Sequence, residues 1–189
     1  MSVLAVDEVL KRVKQEKLIE NLGKRELENP EGVGVDLRLG AVHKIISGGA
    51  FIQADGSKGL GSRKGVKTEV LVQFSKHKRI QEEVVIKPGD YYLVSTLETI
   101  NTPQDLMPVL YPRTSLFRAG LLLLNSKTDP GYKGTLTMGL KNLSEFDVTL
   151  QMGARICNVV FFVIEGQVVS YRGQHQGGRV SPHEKEQQV

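Results

Sequence analysis

The sequence predicts an all-β domain opened by one short helix, on three observations. Helical spacing of apolar residues is confined to the beginning of the chain, short apolar or alternating runs follow it, and Gly, Pro and Asn separate those runs. Val6, Val9, Leu10 and Val13 follow the i, i+3, i+4, i+7 rule, with Asp7 as the expected N-cap. Asn29-Pro30-Glu31-Gly32 then breaks the pattern and ends a helical N-terminal segment, residues 1–30. Strands are expected at Val33 to Leu39, Ala41 to Ile46, Glu69 to Phe74, Glu83 to Ile86, Tyr91 to Thr96, Leu106 to Tyr111 and Leu121 to Leu124. Three more are expected at Thr135 to Asn142, Val148 to Leu150 and Arg155 to Ile164. So many short strands argue for a β-sandwich or jelly roll. Ser47 to Val66, rich in Gly, Ser and Lys, reads as a long loop or insertion, and residues 171–189 read as a polar, mobile tail. With no internal repeat and no linker, residues 1–189 are expected to form one domain.

Composition narrows the partners. The chain has 189 residues, 40% of them hydrophobic, enough for a sizeable core. The longest apolar run, around Val159 to Ile164, falls well short of the ~20 residues that cross a bilayer. Met1 to Lys14 turns charged at once and lacks the apolar stretch of a secretory signal, so a cytoplasmic protein with no membrane partner is expected. Cys157 is the only cysteine, which rules out an intrachain disulfide; in its apolar run it reads as a buried small hydrophobe. The formal charge of +4 suits an anionic partner. With 6% aromatic residues and no Trp there is no stacking ladder, and nucleic acid is not expected.

Several motifs are missing: a Gly-rich loop running into Lys-Ser or Lys-Thr, G-x-G-x-x-G, H-E-x-x-H and G-x-S-x-G. The histidines at 43, 77, 175 and 183 are too dispersed for a metal site. Pro112-Arg113-Thr114-Ser115-Leu116 combines a guanidinium, two hydroxyls and turn-compatible amides, a set that can grip phosphate or simply cap a helix. Thr128-Asp129-Pro130-Gly131-Tyr132-Lys133-Gly134 sets a carboxylate three residues before an aromatic, and taken alone reads as a plain hairpin turn.

Order along the chain distinguishes these readings. Gly34-Val35-Asp36-Leu37-Arg38-Leu39-Gly40, Pro112 to Gly120, Asp129 to Gly134 running into Asn142, and Gly153-Ala154-Arg155-Ile156-Cys157-Asn158 resemble the four successive motifs of the dUTPase and dCTP deaminase superfamily. The N-terminal helix, Pro88 to Thr99, and the ending Tyr171 to Gly178 resemble the deaminase branch in particular. The resemblance implies a distorted jelly roll of the β-clip kind and a homotrimer with three sites between subunits. Each site would bind a deoxynucleoside triphosphate, with Mg²⁺ carried by the phosphates rather than by protein ligands.

It also implies roles. In deaminases of this superfamily a glutamate on the strand after the third motif moves protons; counting from Asp129, its place falls on Gly139. In the pyrophosphatases a carboxylate activates water for attack at the α-phosphorus, and Asp129 matches that position. Tyr132 matches the aromatic that packs on deoxyribose, and Asp36 a supporting carboxylate. Arg113, Thr114 and Ser115 would hold phosphate, Arg118 would contact phosphate or a neighbouring subunit, and Asn158 is a substrate-binding position where a Gln is usual, while Tyr171, Gln174 and Gln176 would close on the nucleotide. The expected function is hydrolysis of dUTP to dUMP and pyrophosphate. Deamination of dCTP, with Glu145 or another carboxylate as proton carrier, and a non-catalytic nucleotide-binding trimer stay open beside it.

Overall fold

The computed structural model describes residues 2–54, 62–181 and 186–187. Along the chain the elements are α1 (Val6–Glu16), β1 (Ile19–Glu20), α2 (Lys24–Glu28), β2 (Gly34–Ser47), β3 (Phe51–Ile52), β4 (Ser62–Lys64), β5 (Lys67–Gln73), β6 (Glu83–Ile86) and β7 (Tyr91–Thr96). They continue with β8 (Thr99–Asn101), β9 (Leu106–Pro112), α3 (Thr114–Arg118), β10 (Leu121–Leu124), β11 (Lys133–Gly134), β12 (Thr137–Asn142), β13 (Val148–Gln151), β14 (Arg155–Val163) and β15 (Glu186–Gln187). The fold is all-β with few helices, as the sequence predicts.

Helix α1 sets Val9 in the core and ends at Lys17, whose left-handed backbone (φ 55°) stops it. Its N-cap is Ala5, not Asp7. The chain before it is tied to β14, with the Leu4 amide donating to the Phe161 carbonyl at 2.9 Å. The helix therefore begins as soon as the chain leaves that pairing, two residues earlier than the side chains suggest. Asp7 is left in the first turn, where its charge faces the positive end of the helix.

One large sheet organises the rest. Its strands run β10-β12-β7-β2-β14-β9, with β5 also paired to β2, and every pairing is antiparallel. An isolated bridge between Val109 and Lys127 ties β9 back to the segment following β10, so the sheet is nearly closed and barrel-like. Val35, Leu37, Leu39, Val42, Met138, Leu140, Val159 and Phe161 fill the interior. Strand β2 is continuous where the sequence suggested two strands divided at Gly40. The register shifts between Leu39 and Ala41, and a side chain at position 40 would come within 2.5 Å of the Thr96 carbonyl oxygen. Gly40 marks a bulge with close backbone approach rather than a break.

Other differences are local. Residues 47–66, expected as a loop, carry the paired strands β3 and β4, with β15 added on β4; residues 55–61 lie outside the described residues. The stretch after Arg113 forms the one-turn helix α3, anchored by buried Leu116 and closed by Gly120 at φ 83°.

Candidate active site

A cavity of about 390 Å³ opens where the β10–β11 connection meets the tail. The connection is held to β9 by the Val109–Lys127 bridge and by the Thr128 amide, which donates to the Pro108 carbonyl at 3.0 Å. Beyond it the chain turns at Gly131 (φ 83°), whose amide donates to Thr102 O at 2.9 Å, and the Tyr132 amide closes the turn on Asp129 O at 3.2 Å. The turn leaves the Asp129 carboxylate in the cavity wall, half-exposed and ion-paired with Lys127. Tyr132 is buried beside it and its hydroxyl donates to the Thr135 carbonyl at 2.5 Å. Burial pushes the Tyr132 phenol up to about 12, so it stays neutral and remains a donor.

The tail, read from the sequence as mobile, is held against this turn from Tyr171 to Gly178. The Tyr171 amide donates to the Pro130 carbonyl at 2.7 Å, and the Tyr171 and Tyr132 rings meet edge to face, 5.3 Å apart at 83°. Gln176 clasps the turn at both ends: its amide donates to Gly131 O at 3.0 Å, and its oxygen accepts from the Lys133 amide at 3.0 Å. The tail crosses Gly134 so closely that a Cβ there would lie 2.3 Å from the Gly178 nitrogen.

Of the residues singled out in the sequence, Asp129, Tyr132 and Tyr171 line the cavity. Gln176 holds its rim, and Gln174 lies in the same tail with a buried side-chain oxygen that has no partner among the described residues. Lys127, His175 and Arg179 also line it, beside Ser126, Thr128 and Thr137 and the apolar Leu93, Leu110, Leu136 and Val180. Sequence reasoning gave Lys127 and Arg179 no role. Asp129 is the single carboxylate in the lining among the described residues, so the cavity suits an anion with an apolar or aromatic part.

The second-motif residues are elsewhere. Arg113 is ion-paired with buried Asp36, which also accepts from Arg155 at 3.0 Å and from the Asn158 side-chain amide at 3.0 Å. Buried Glu26 extends the group, accepting from the Asp36 backbone amide at 3.0 Å and pairing with Arg25 at 2.9 Å. Arg113, Asn158 and Asp36 thus form a structural knot linking α2, β2, β14 and the start of α3. Thr114, Ser115 and Arg118 stand exposed on α3 and do not line the cavity within this chain.

Gly139 lies on β12 two residues beyond Thr137, on the same strand face, opposite Leu93 of β7. Thr137 and Leu93 line the cavity; Gly139 does not, because the Tyr91 ring covers it. Glu145, the proposed substitute carboxylate, is exposed in the β12–β13 turn and also lies outside the lining. Cys157 is fully buried and burial raises its thiol to about 12, which fits the small-hydrophobe reading.

Comparison with known proteins identifies the family and supports the fold. The family model described as dCTP deaminase-like matches residues 3–164. The dCTP deaminase of Pyrococcus abyssi is 40% identical over 98 residues, 51% of this chain and 64% of that protein. The chain thus spans less than two thirds of the length of that relative. A protein of Methanothermobacter thermautotrophicus named probable deoxyuridine 5'-triphosphate nucleotidohydrolase is 29% identical over 161 residues, 85% of this chain and 97% of that one. Among solved structures, the 2'-deoxycytidine 5'-triphosphate deaminase of Agrobacterium tumefaciens shares the fold, with a TM-score of 0.60 at 17% identity over 84% of this chain and 48% of that chain. The motifs, the nearly closed sheet and the matched span lead to one conclusion: the chain belongs to the dCTP deaminase-like family.

Proposed function

We propose that this protein hydrolyses dUTP to dUMP and pyrophosphate. One observation carries the reading. The cavity keeps the carboxylate suited to activating water, Asp129, while the place of a deaminase's proton carrier is a glycine covered by Tyr91. One relative, that of Methanothermobacter thermautotrophicus, aligns over 97% of its length and is named a probable deoxyuridine 5'-triphosphate nucleotidohydrolase, which supports the same choice.

In this mechanism Asp129 orients a water and takes its proton as the oxygen attacks the α-phosphorus. The bond from that phosphorus to the bridging oxygen breaks, and pyrophosphate leaves with the electron pair. Tyr132, neutral and rigidly held, packs against the deoxyribose, and Tyr171 and Gln176 keep the tail closed over it. No group of three His, Cys, Asp or Glu side chains suited to a metal ion occurs among the described residues, so a Mg²⁺ ion fits here only as a companion of the phosphates. Bound there, it would offset phosphate charge.

We assign the fold to the distorted jelly-roll class, a single domain over residues 1–189, acting in the cytoplasm as a homotrimer. The trimer reading is supported by Thr114, Ser115 and Arg118, exposed away from the cavity of their own chain, and by the exposed Phe117, Leu122 and Leu124 beside them. A neighbouring subunit would bring such hydroxyls and guanidinium to the phosphates, and Asp36 would support them by fixing Arg113. The test is incubation with dUTP and Mg²⁺, following pyrophosphate. Turnover is expected in the wild type and a loss of at least about 100-fold in Asp129→Asn; equal rates would remove Asp129 from the chemistry.

A second reading, deamination of dCTP, draws on the 40% identity with a protein of that name over half the chain. Ammonia release from dCTP separates it from hydrolysis. Nucleotide binding with neither product would instead mark a non-catalytic binding protein.

A further inference from the structure

We propose that Lys127 is a phosphate-binding residue, parked on Asp129 in the ligand-free protein and transferred to the triphosphate when nucleotide enters. The inference rests on reading the cavity as a nucleotide site. The Lys127 ammonium pairs with Asp129 Oδ1, and both residues line the cavity. The Lys127 backbone is fixed by its bridge to Val109, so its side chain starts from a defined point on the wall.

The side chain itself is held only lightly. Lys127 is 54% exposed and Asp129 45%, and an ion pair this wet contributes little, because water screens it and a long stem must be ordered to make it. A triphosphate brings several negative charges within the same reach and outcompetes one carboxylate.

The exchange has a chemical consequence. While the ammonium sits on Asp129 Oδ1, that oxygen is already engaged as an acceptor. Once Lys127 moves to phosphate, the carboxylate is left to accept from a water. Substrate entry thus frees Oδ1 of the base, and the cation that occupied it now steadies the phosphate charge.

The test compares wild type, Lys127→Gln and Lys127→Arg. A non-hydrolysable α,β-imido analogue of dUTP is titrated in with Mg²⁺, and steady-state kinetics with dUTP are run alongside. Loss of a charge-assisted bond predicts that K127Q weakens analogue binding and raises KM by about tenfold, with a smaller change in kcat, and that K127R recovers most of the loss. If Lys127 merely holds Asp129 in place, K127Q leaves analogue affinity unchanged and lowers kcat alone, which overturns the proposal. A wild type that binds the analogue but releases no pyrophosphate from dUTP defeats the hydrolase reading and leaves the Lys127 comparison intact. A wild type that does not bind the analogue defeats both.

Discussion

The Tyr91 hydroxyl closes the space beside Gly139: a Cβ built there would lie 2.5 Å from the Tyr91 oxygen and 3.0 Å from its nearest ring carbon. Strands β7 and β12 set this contact by register, since Lys141 is opposite Tyr91 and Gly139 opposite Leu93, making the two residues diagonal neighbours. Position 139 thus lacks the acid, and a side chain introduced there would first have to displace the Tyr91 ring.

Gly139→Glu is therefore expected to release no ammonia from dCTP. Tyr91 is 40% exposed and its ring can swing outward, so the overpacking cost should be small, about 1 kcal/mol. Urea unfolding checks this, with Tyr91→Ala added to Gly139→Glu expected to recover the difference. A single variant as stable as wild type would contradict the steric account.

Asp36 holds Arg113, Arg155 and Asn158 together. Asp36→Asn keeps the shape and removes the charge, leaving two neighbouring guanidinium groups without their common partner. Both arginines keep some contact with water, so the expected loss is about 2–4 kcal/mol, toward the lower part of what breaking a buried pair costs. Chemical denaturation measures it, and a change below about 0.5 kcal/mol, ordinary for a surface site, would refute the structural role.

His43 should make stability fall in acid. The ring is buried on β2, its Nε2 has no hydrogen-bond partner among the described residues, and burial lowers its proton affinity below the ordinary 6.5. The folded state keeps the ring neutral while the unfolded chain takes up a proton. The neutral ring's contribution is thus fully present above pH 6.5 and is lost as the pH falls through the lower folded value. The drop in urea midpoint from pH 7.5 to 5.5 should be smaller in His43→Leu than in wild type. Equal drops would show that another group is responsible.

Gln176 is expected to govern tail opening. Gln176→Ala removes the acceptor of the Lys133 amide and the donor to Gly131 O, so hydrogen exchange at Lys133 should quicken by tenfold or more, about one hydrogen bond's worth of local protection. Amides in the core strands β2 and β14 should be unaffected. Unchanged protection at Lys133 would show that the Gly177–Lys133 bond and the Tyr171 contacts suffice to hold the tail.

Much of the fold was legible along the chain because period-two patterns and turn residues are local signals. Strands Glu83–Ile86, Tyr91–Thr96 and Leu121–Leu124 were read with the boundaries the structure has. Gly40 misled, since a glycine at a bulge and a glycine at a break look alike until the backbone of Thr96 is seen against it. Helix α3 was missed because a single turn has no periodicity to detect. Asp129, Tyr132 and Tyr171, which line the cavity, were singled out through the order of the motifs and the resemblance of the tail, not through spacing alone. Lys127 and Arg179 gave no signal, since basic residues in polar segments are ordinarily solvated.

By itself the sequence determined the all-β class, the family and the identity of the carboxylate at 129 and the hydrogen at 139, because these depend on residue types and their order. Tertiary structure decided which groups share a space. It drew Arg113 and Asn158 onto Asp36, folded the tail over the Asp129 turn, put Lys127 on the candidate base and laid Tyr91 across Gly139. Each of those contacts joins positions that strand register and chain crossing bring together, and neither register nor crossing can be read from neighbours in sequence.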